Sequence, residues 1–186
     1  MVSIASLWLP ILLSAVFIFF ASFLVHMVLP FHRGDFRGVP KEDEVMAALR
    51  GFGIPPGDYM VPRAGGPQGM KDPKFIEKHR LGPVIVMTVF PPGPLTMGPQ
   101  LAQWFGFCLL VGLFSACIAA PALPPGSSYL HVFHLVGGVA FAGYALALLQ
   151  NSIWYRRSWG STLRHAADGL LYGLLTAGTF GWLWPR

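Results

Sequence analysis

The sequence predicts an all-α membrane protein: a bundle of four transmembrane helices with a small cytoplasmic α+β insertion between helices 1 and 2. Three observations predict this class. Hydrophobic residues make up 54% of the chain and charged residues only 11%, against roughly 25% charged in a soluble domain. Four apolar stretches are long enough for a membrane span of about 20 residues. The six tryptophans fall near the ends of these stretches, where the amphipathic indole is favoured.

The four spans are predicted at about 6–29, 100–121, 129–154 and 163–184, within a single membrane domain that covers residues 1–186. Pro30 ends the first span, and the proline-rich turn from Pro121 to Gly126 separates the second from the third. The first stretch lacks a basic n-region and exceeds the roughly 7–15 residues of a signal-peptide core. We therefore expect it to remain as an uncleaved span.

Residues 31–98 form the predicted insertion, and start and stop signals divide it into short elements. Pro40, the acidic residues at 42–44 and a stop at Gly53 predict one helix, since negative charge favours a helix N-terminus. Asp72 and Pro73 predict the start of a second helix, which ends before Gly82. Apolar runs at 59–61 and 84–90 predict a short two-stranded ribbon.

The positions of lysine and arginine predict the orientation. Nine of them lie between spans one and two and three more near the turn between spans three and four, so both segments should be cytoplasmic. The chain would then be a multi-pass protein of the bacterial inner membrane with both termini outward. The net charge of +5 favours anionic lipid headgroups of the bilayer as partner rather than nucleic acid, because the basic residues form no run interleaved with aromatics.

Small residues recur every four positions along span four and form a ridge. Such a ridge lets another helix backbone approach closely in lipid. One interpretation is tight packing inside the bundle; the other is contact with a second copy, as a homo-oligomer, or with a membrane partner protein. Span two carries a shorter ridge of the same kind. The ridge residues are Gly169, Gly173, Ala177 and Gly181 on span four, with Gly112 and Ala116 on span two.

A polar stripe on span four contains Asp168, the only acid within a predicted span. A carboxylate in hydrocarbon is costly unless it is paired or hydrated, so it is a functional candidate. Polar residues of spans one and three lie at a similar depth, and Arg156, Arg157 or Arg164 could supply a counter-charge. Three interpretations stay open: a hydrogen-bonded clamp, a proton or ion pathway, and a catalytic or ligand pocket. The predicted polar cluster is Asp168, His165, Tyr172, Gln150, Asn151 and His26.

No cofactor, metal site or catalytic motif is predicted. His131 and His134 have a spacing that can bind a metal, but two histidines are fewer than the three or four ligands that zinc sites use. The Gly-x-Ser-x-Gly nucleophile motif does not occur. Cys108 and Cys117 are interpreted as small buried residues in apolar stretches.

The C-terminal part, from 150–159 (QNSIWYRRSW) through Asp168 and Gly169 to 178–182 (GTFGW), resembles uncharacterised four-helix inner-membrane proteins of bacteria. The resemblance covers the last two spans and implies the four-helix architecture but no activity. The leading hypothesis is therefore a structural or accessory membrane protein that acts through helix association. The alternative is a small proton- or ion-coupled translocator that uses the polar cluster, and a membrane enzyme comes third.

Overall fold

The computed structural model describes residues 1–186, which form seven α-helices and one two-stranded sheet and are mostly helical. The chain divides into a helical unit, Met1–Arg37 with Thr96–Arg186, and an insertion unit, Gly38–Leu95. The insertion unit thus begins seven residues later than predicted, because residues 31–37 belong to the helical unit. The elements are α1 Trp8–Phe23, α2 Glu42–Gly51, β1 Gly57–Val61, α3 Pro73–Leu81, β2 Ile85–Val89, α4 Gly98–Ala122, α5 Tyr129–Tyr144, α6 Leu149–Tyr155 and α7 Trp159–Leu183.

Three helical segments are long and apolar enough to cross a membrane: Ile4–Val28, Gly98–Ala122 and Tyr129–Tyr155. They support the prediction of a helical membrane protein and coincide with three of its four predicted spans. The fourth predicted span lies in α7, which is helical for 25 residues and begins four residues earlier than expected. It is not among the three membrane-length apolar helices, because charged, hydroxyl and glycine residues lower its hydropathy.

The chain changes direction directly after the first apolar segment. The helix widens in its last turn, where the Leu29 N–H donates to the Leu24 carbonyl five residues back. Leu29 itself is extended, as the residue before a proline prefers, and Pro30 opens a short turn that ends at His32. Residues 32–35 therefore contact the first turns of α7.

The third apolar segment is not one continuous helix. A single helix over 129–154 was predicted, but α5 ends at Tyr144, and a tight turn at Leu146–Leu148 leads into α6. Ala145 leaves helical geometry, with φ −122° and ψ −47°. The break coincides with the close approach of α7, because a Cβ added to Gly169 would lie only 2.8 Å from the Ala145 Cβ.

The small-residue ridge of α7 packs against α5 of the same chain. A Cβ added at Gly173 would meet the backbone of Phe141 at 3.2 Å, and one added at Gly181 would meet the Tyr129 ring at 2.7 Å. Ala177 is fully buried. On α4, a Cβ at Gly112 would lie 3.4 Å from Ile11, and Ala116 is fully buried. These positions serve packing inside the helical unit.

The insertion unit follows its predicted start and stop signals. The Lys74 N–H donates to the Asp72 carboxylate at 2.9 Å and caps α3, which ends at Gly82. The strands β1 and β2 pair antiparallel, with Tyr59 opposite Met87. The two-stranded ribbon is thus confirmed. No residue of this unit is buried.

The α5–α7 packing predicts that a glycine-to-alanine substitution lowers stability at some positions and not at others. Gly169→Ala should lower the free energy of unfolding by about 1–3 kcal/mol, because the new Cβ meets backbone that cannot rotate away. Gly138→Ala on α5 is the matched control, since its Cβ would enter open space. Thermal unfolding in detergent measures both. Equal stabilities of the two variants, or dissociation of an oligomer by Gly169→Ala without loss of stability, would contradict the internal packing.

Candidate functional site: a histidine–carboxylate centre

Asp168 lies in the third turn of α7 and is 5% exposed. Its nearest partners are imidazoles from the end of the first apolar segment. The Asp168 Oδ2 atom lies 2.9 Å from His32 Nε2 and 3.6 Å from His26 Nε2. The buried carboxylate thus faces two histidines rather than the arginine counter-charge that the sequence suggested.

His32 lies between two carboxylates. Its Nδ1 atom is 2.6 Å from Asp35 Oδ2, and an ionised carboxylate can only accept, so Nδ1–H donates this hydrogen bond. The Asp35 side chain is 4% exposed, and its Oδ1 atom accepts from Arg164 Nε at 2.9 Å and from Arg164 Nη2. A continuous chain of contacts therefore runs from Asp168 through His32 and Asp35 to Arg164.

His165 completes the group one residue after Arg164. Its Nδ1–H donates to the Ser161 carbonyl at 2.8 Å and lies 3.6 Å from Asp35 Oδ2. The rings of His26 and His32 stack with centroids 4.2 Å apart, and the His165 ring meets His32 at 4.8 Å. We call this set the histidine–carboxylate centre; its members are His26, His32, Asp35, Arg164, His165 and Asp168.

The pKa of Asp35 reflects its position in the centre. Burial alone would raise the pKa, but hydrogen bonds from His32 and Arg164 and the charge of Arg164 outweigh burial and lower the pKa from 3.8 to about 2. His165 lowers it further. Asp35 therefore stays ionised at every physiological pH.

A cavity of about 280 Å³ adjoins the centre at His26. Its wall is almost entirely apolar, and the Trp104 indole N–H that lines it donates to Ser22 Oγ at 2.9 Å. The His26 side chain is 38% exposed, whereas those of His32 and Asp168 are 9% and 7% exposed. The centre is thus closed around His32 and open at His26. The other lining residues include Phe19, Phe23, Met27, Met97 and Leu101.

Two overlapping sets of residues could hold a metal ion. One is His26, His32 and Asp168, and the other is His32, Asp35 and His165. In each set the ligand atoms lie within 4.8 Å of one another. Imidazole nitrogen and carboxylate oxygen are the ligands that divalent transition metals use in proteins.

Comparisons with known proteins give no family for this geometry. No family model, curated protein or solved structure matches the chain. The function is therefore inferred from the residues of this chain.

Three of the six residues of the predicted polar cluster meet in the centre: Asp168, His165 and His26. Tyr172 lies further along α7, where its ring packs against Trp104 and Tyr144 and its buried hydroxyl has no hydrogen-bond partner. The side chains of Gln150 and Asn151 form no hydrogen bond or ion pair with the centre; Gln150 is exposed and Asn151 half-buried on α6. His131 and His134 are exposed on α5, and neither belongs to either set of candidate metal ligands.

His32 and Asp35 were not predicted as site residues. The sequence analysis took the polar residues after Pro30 only as the exit from hydrocarbon. Their His-x-x-Asp spacing is the local signal that could have indicated them, since it places the imidazole Nδ1 against the carboxylate within one turn. Arg164 was predicted as a counter-charge for Asp168, but it pairs with Asp35.

The lowered pKa of Asp35 predicts how stability responds to acid. An acid whose folded-state pKa is depressed stabilises the fold above its unfolded pKa of 3.8, and this contribution is lost as pH falls toward about 2. Asp35→Asn should therefore be less stable than wild type at neutral pH, with the difference shrinking between pH 3.8 and 2. Thermal unfolding temperatures of both proteins across this range measure it. Parallel curves would show that Asp35 is not held by His32 and Arg164.

Proposed function

We propose that the protein is a small proton- or ion-coupled translocator of the bacterial inner membrane that works through the histidine–carboxylate centre. The observation that supports the proposal most is the burial of Asp168 against His32 and His26. A carboxylate buried within a membrane protein is costly and is by default a candidate functional group, and ion pathways and proton relays are among the roles that such groups have. Imidazole is the side chain that changes charge near neutral pH.

The contacts of the centre suit stepwise proton movement. Asp168 Oδ2 lies 2.9 Å from His32 Nε2 and 3.6 Å from His26 Nε2, so a proton or cation can pass between the carboxylate and the two imidazoles without movement of the backbone. Asp35, 2.6 Å from His32 Nδ1, stays ionised and holds the ring. Arg164 places a fixed positive charge beside Asp35 and keeps that carboxylate ionised. The proposed entry and exit points are His26, whose side chain is 38% exposed, and His165, whose side chain is 29% exposed.

The proposal includes α7 as a fourth span. With an even number of spans, both termini lie on the same side of the membrane, which is the outer side in the proposed orientation. A helix of 25 residues is about 37 Å long, more than the roughly 30 Å of hydrocarbon. It packs beside α5 and α1, which both belong to apolar segments of membrane length. Arg156, Arg157 and Arg164 around its start favour the cytoplasmic side for the centre, together with the nine basic residues between the first two apolar helices.

A structural or accessory membrane role is the second candidate. The pairs Arg164–Asp35 and His32–Asp168 join the end of the first apolar segment to α7, which would fix the arrangement of the helices. The small-residue ridge of α7 contacts α5 within the chain, so association with another protein would use other surfaces. Loss of the Asp168 charge should abolish flux if the protein is a translocator, but should affect only stability if its role is structural.

Asp168→Asn tests the translocator. The amide keeps the shape of the side chain but cannot exchange a proton, so flux of protons or cations into proteoliposomes should fall at least about tenfold, with the unfolding temperature little changed. Asp43→Asn on the exposed start of α2 is the matched control and should keep wild-type flux. Wild-type flux in Asp168→Asn, or a large loss of stability as its only effect, would leave the structural role instead.

The proposed orientation predicts the behaviour of reporters fused after Arg186. Alkaline phosphatase, which requires the periplasm, should be active there, and a fluorescent protein that folds only in the cytoplasm should be dark. The same pair fused after Gly66, between the two insertion helices, should give the reverse result. Cytoplasmic activity of the fusion after Arg186 would mean that α7 does not cross the membrane.

A further inference from the structure

Two buried atoms of the centre face each other without a hydrogen bond. His32 Nε2 and Asp168 Oδ2 are 2.9 Å apart, yet neither has a hydrogen-bond partner in the protein. A buried polar atom without a partner requires a physical explanation, and a bound ion is one of the recurrent ones.

The hydrogen bond of His32 to Asp35 determines which ring nitrogen faces Asp168 as an acceptor. Nδ1–H donates to Asp35, so a neutral His32 presents a lone pair at Nε2 toward the Asp168 carboxylate. Two acceptors at 2.9 Å repel unless a cation lies between them. If the cation were a proton on Nε2, the Asp168 oxygen should lie along the N–H direction, but the contact does not have hydrogen-bond geometry. The short distance between His32 Nε2 and Asp168 Oδ2 without hydrogen-bond alignment is consistent with both atoms binding one ion that lies beside them.

His26 supplies a third ligand at the open side of the centre. Its Nε2 lies 3.6 Å from Asp168 Oδ2, and all three ligand atoms lie within 4.8 Å of one another. Metal–ligand bonds of about 2.0–2.2 Å at tetrahedral angles separate neighbouring ligand atoms by about 3.4 Å. The two observed separations from Asp168, 2.9 and 3.6 Å, lie on either side of this value.

The outer contacts also match those of a metal-binding histidine. Such a histidine usually donates its other ring N–H to a carboxylate, which fixes the tautomer and makes the ligand more basic. The bond from His32 Nδ1–H to Asp35 is this contact. Asp35 is in turn held by Arg164, so it is already paired and belongs to the outer contacts rather than to the ligands.

We propose that His26 Nε2, His32 Nε2 and Asp168 Oδ2 bind one divalent first-row transition metal ion. Two imidazoles and one carboxylate select such ions over Mg²⁺ and Ca²⁺, which prefer oxygen ligands. Three protein ligands leave coordination positions free, as an exchangeable ion requires. The metal-binding site stands independently of the proposed function. Only the further step, that this metal is the ion moved across the membrane, rests on the translocator function.

Zinc binding by the full-length protein in detergent tests the site. Metal-stripped protein should bind one Zn²⁺ per chain in equilibrium dialysis, and excess Mg²⁺ should not displace it. Bound Co²⁺ should give visible absorption bands of a low-coordinate nitrogen and oxygen site. No bound Zn²⁺, or displacement by Mg²⁺, would overturn the proposal.

Variants assign the ligands. His26→Ala, at a half-exposed position that tolerates the change, and Asp168→Asn should each weaken Zn²⁺ binding more than about 100-fold, and Asp35→Asn about 10–100-fold through His32. The matched control is His131→Ala with His134→Ala, which removes two exposed histidines of α5 and should leave the affinity unchanged. Loss of Zn²⁺ in this control instead, or full binding in His26→Ala, would refute the assigned site. Circular dichroism and gel filtration check that each variant is folded.

The zinc-binding experiment and the flux experiment can give opposite results, so each proposal is tested separately. One Zn²⁺ per chain without flux of any ion would support the site and overturn the translocator. Proton flux that depends on Asp168, in a protein that binds no Zn²⁺, would support the translocator and overturn the metal site.

Discussion

The carboxylate of Asp168 sets the main constraint on the helical unit. A buried ionised carboxylate costs several kcal/mol unless charged or hydrogen-bonding groups compensate it. α7 offers no cation of its own to Asp168, because Arg164 pairs with Asp35. The groups nearest to it are His32 and His26, which reach Asp168 only because the chain turns at Leu29 and Pro30 and brings the end of the first apolar segment to α7. The direction in which the first segment ends is thus tied to an acid near the opposite end of the sequence.

A second constraint acts on the same helix. Gly169 is the neighbour of Asp168 in sequence, and it contacts Ala145 and the Tyr144 backbone, where α5 breaks. α7 therefore lies between α1 and α5, with polar groups toward the first segment and small residues toward α5. Close backbone packing requires small residues on a helix face, whereas a buried charge requires polar groups around it. α7 meets both because the two sets of residues occupy neighbouring faces.

Much of the fold could be predicted because its signals are local. Runs of apolar residues, the turn that ends at Gly126 and the cap at Asp72 are each specified by residues close together in sequence. The same holds for Asp168, the single acid of its predicted span. His32 and Asp35 were missed because their His-x-x-Asp spacing indicates only the contact between the two of them, whereas their role depends on the chain folding back against α7. Gln150 and Asn151 were placed at the depth of Asp168 by counting about one turn in from the cytoplasmic end of a span that was taken as one helix. The break after Tyr144 changes both the rise and the face of the residues that follow it.

The sequence separation within the centre has a consequence for how the protein is made. Asp35 and Arg164 are 129 positions apart, with the insertion unit and three helices between them. At about 5–20 residues per second, a ribosome needs roughly 6–26 s to synthesise that interval. His32 and Asp35 therefore emerge long before their partners, and the centre is completed only when the final helix arrives. A nascent chain halted before Ser158 would contain every apolar helix of membrane length but not the residues that close the centre.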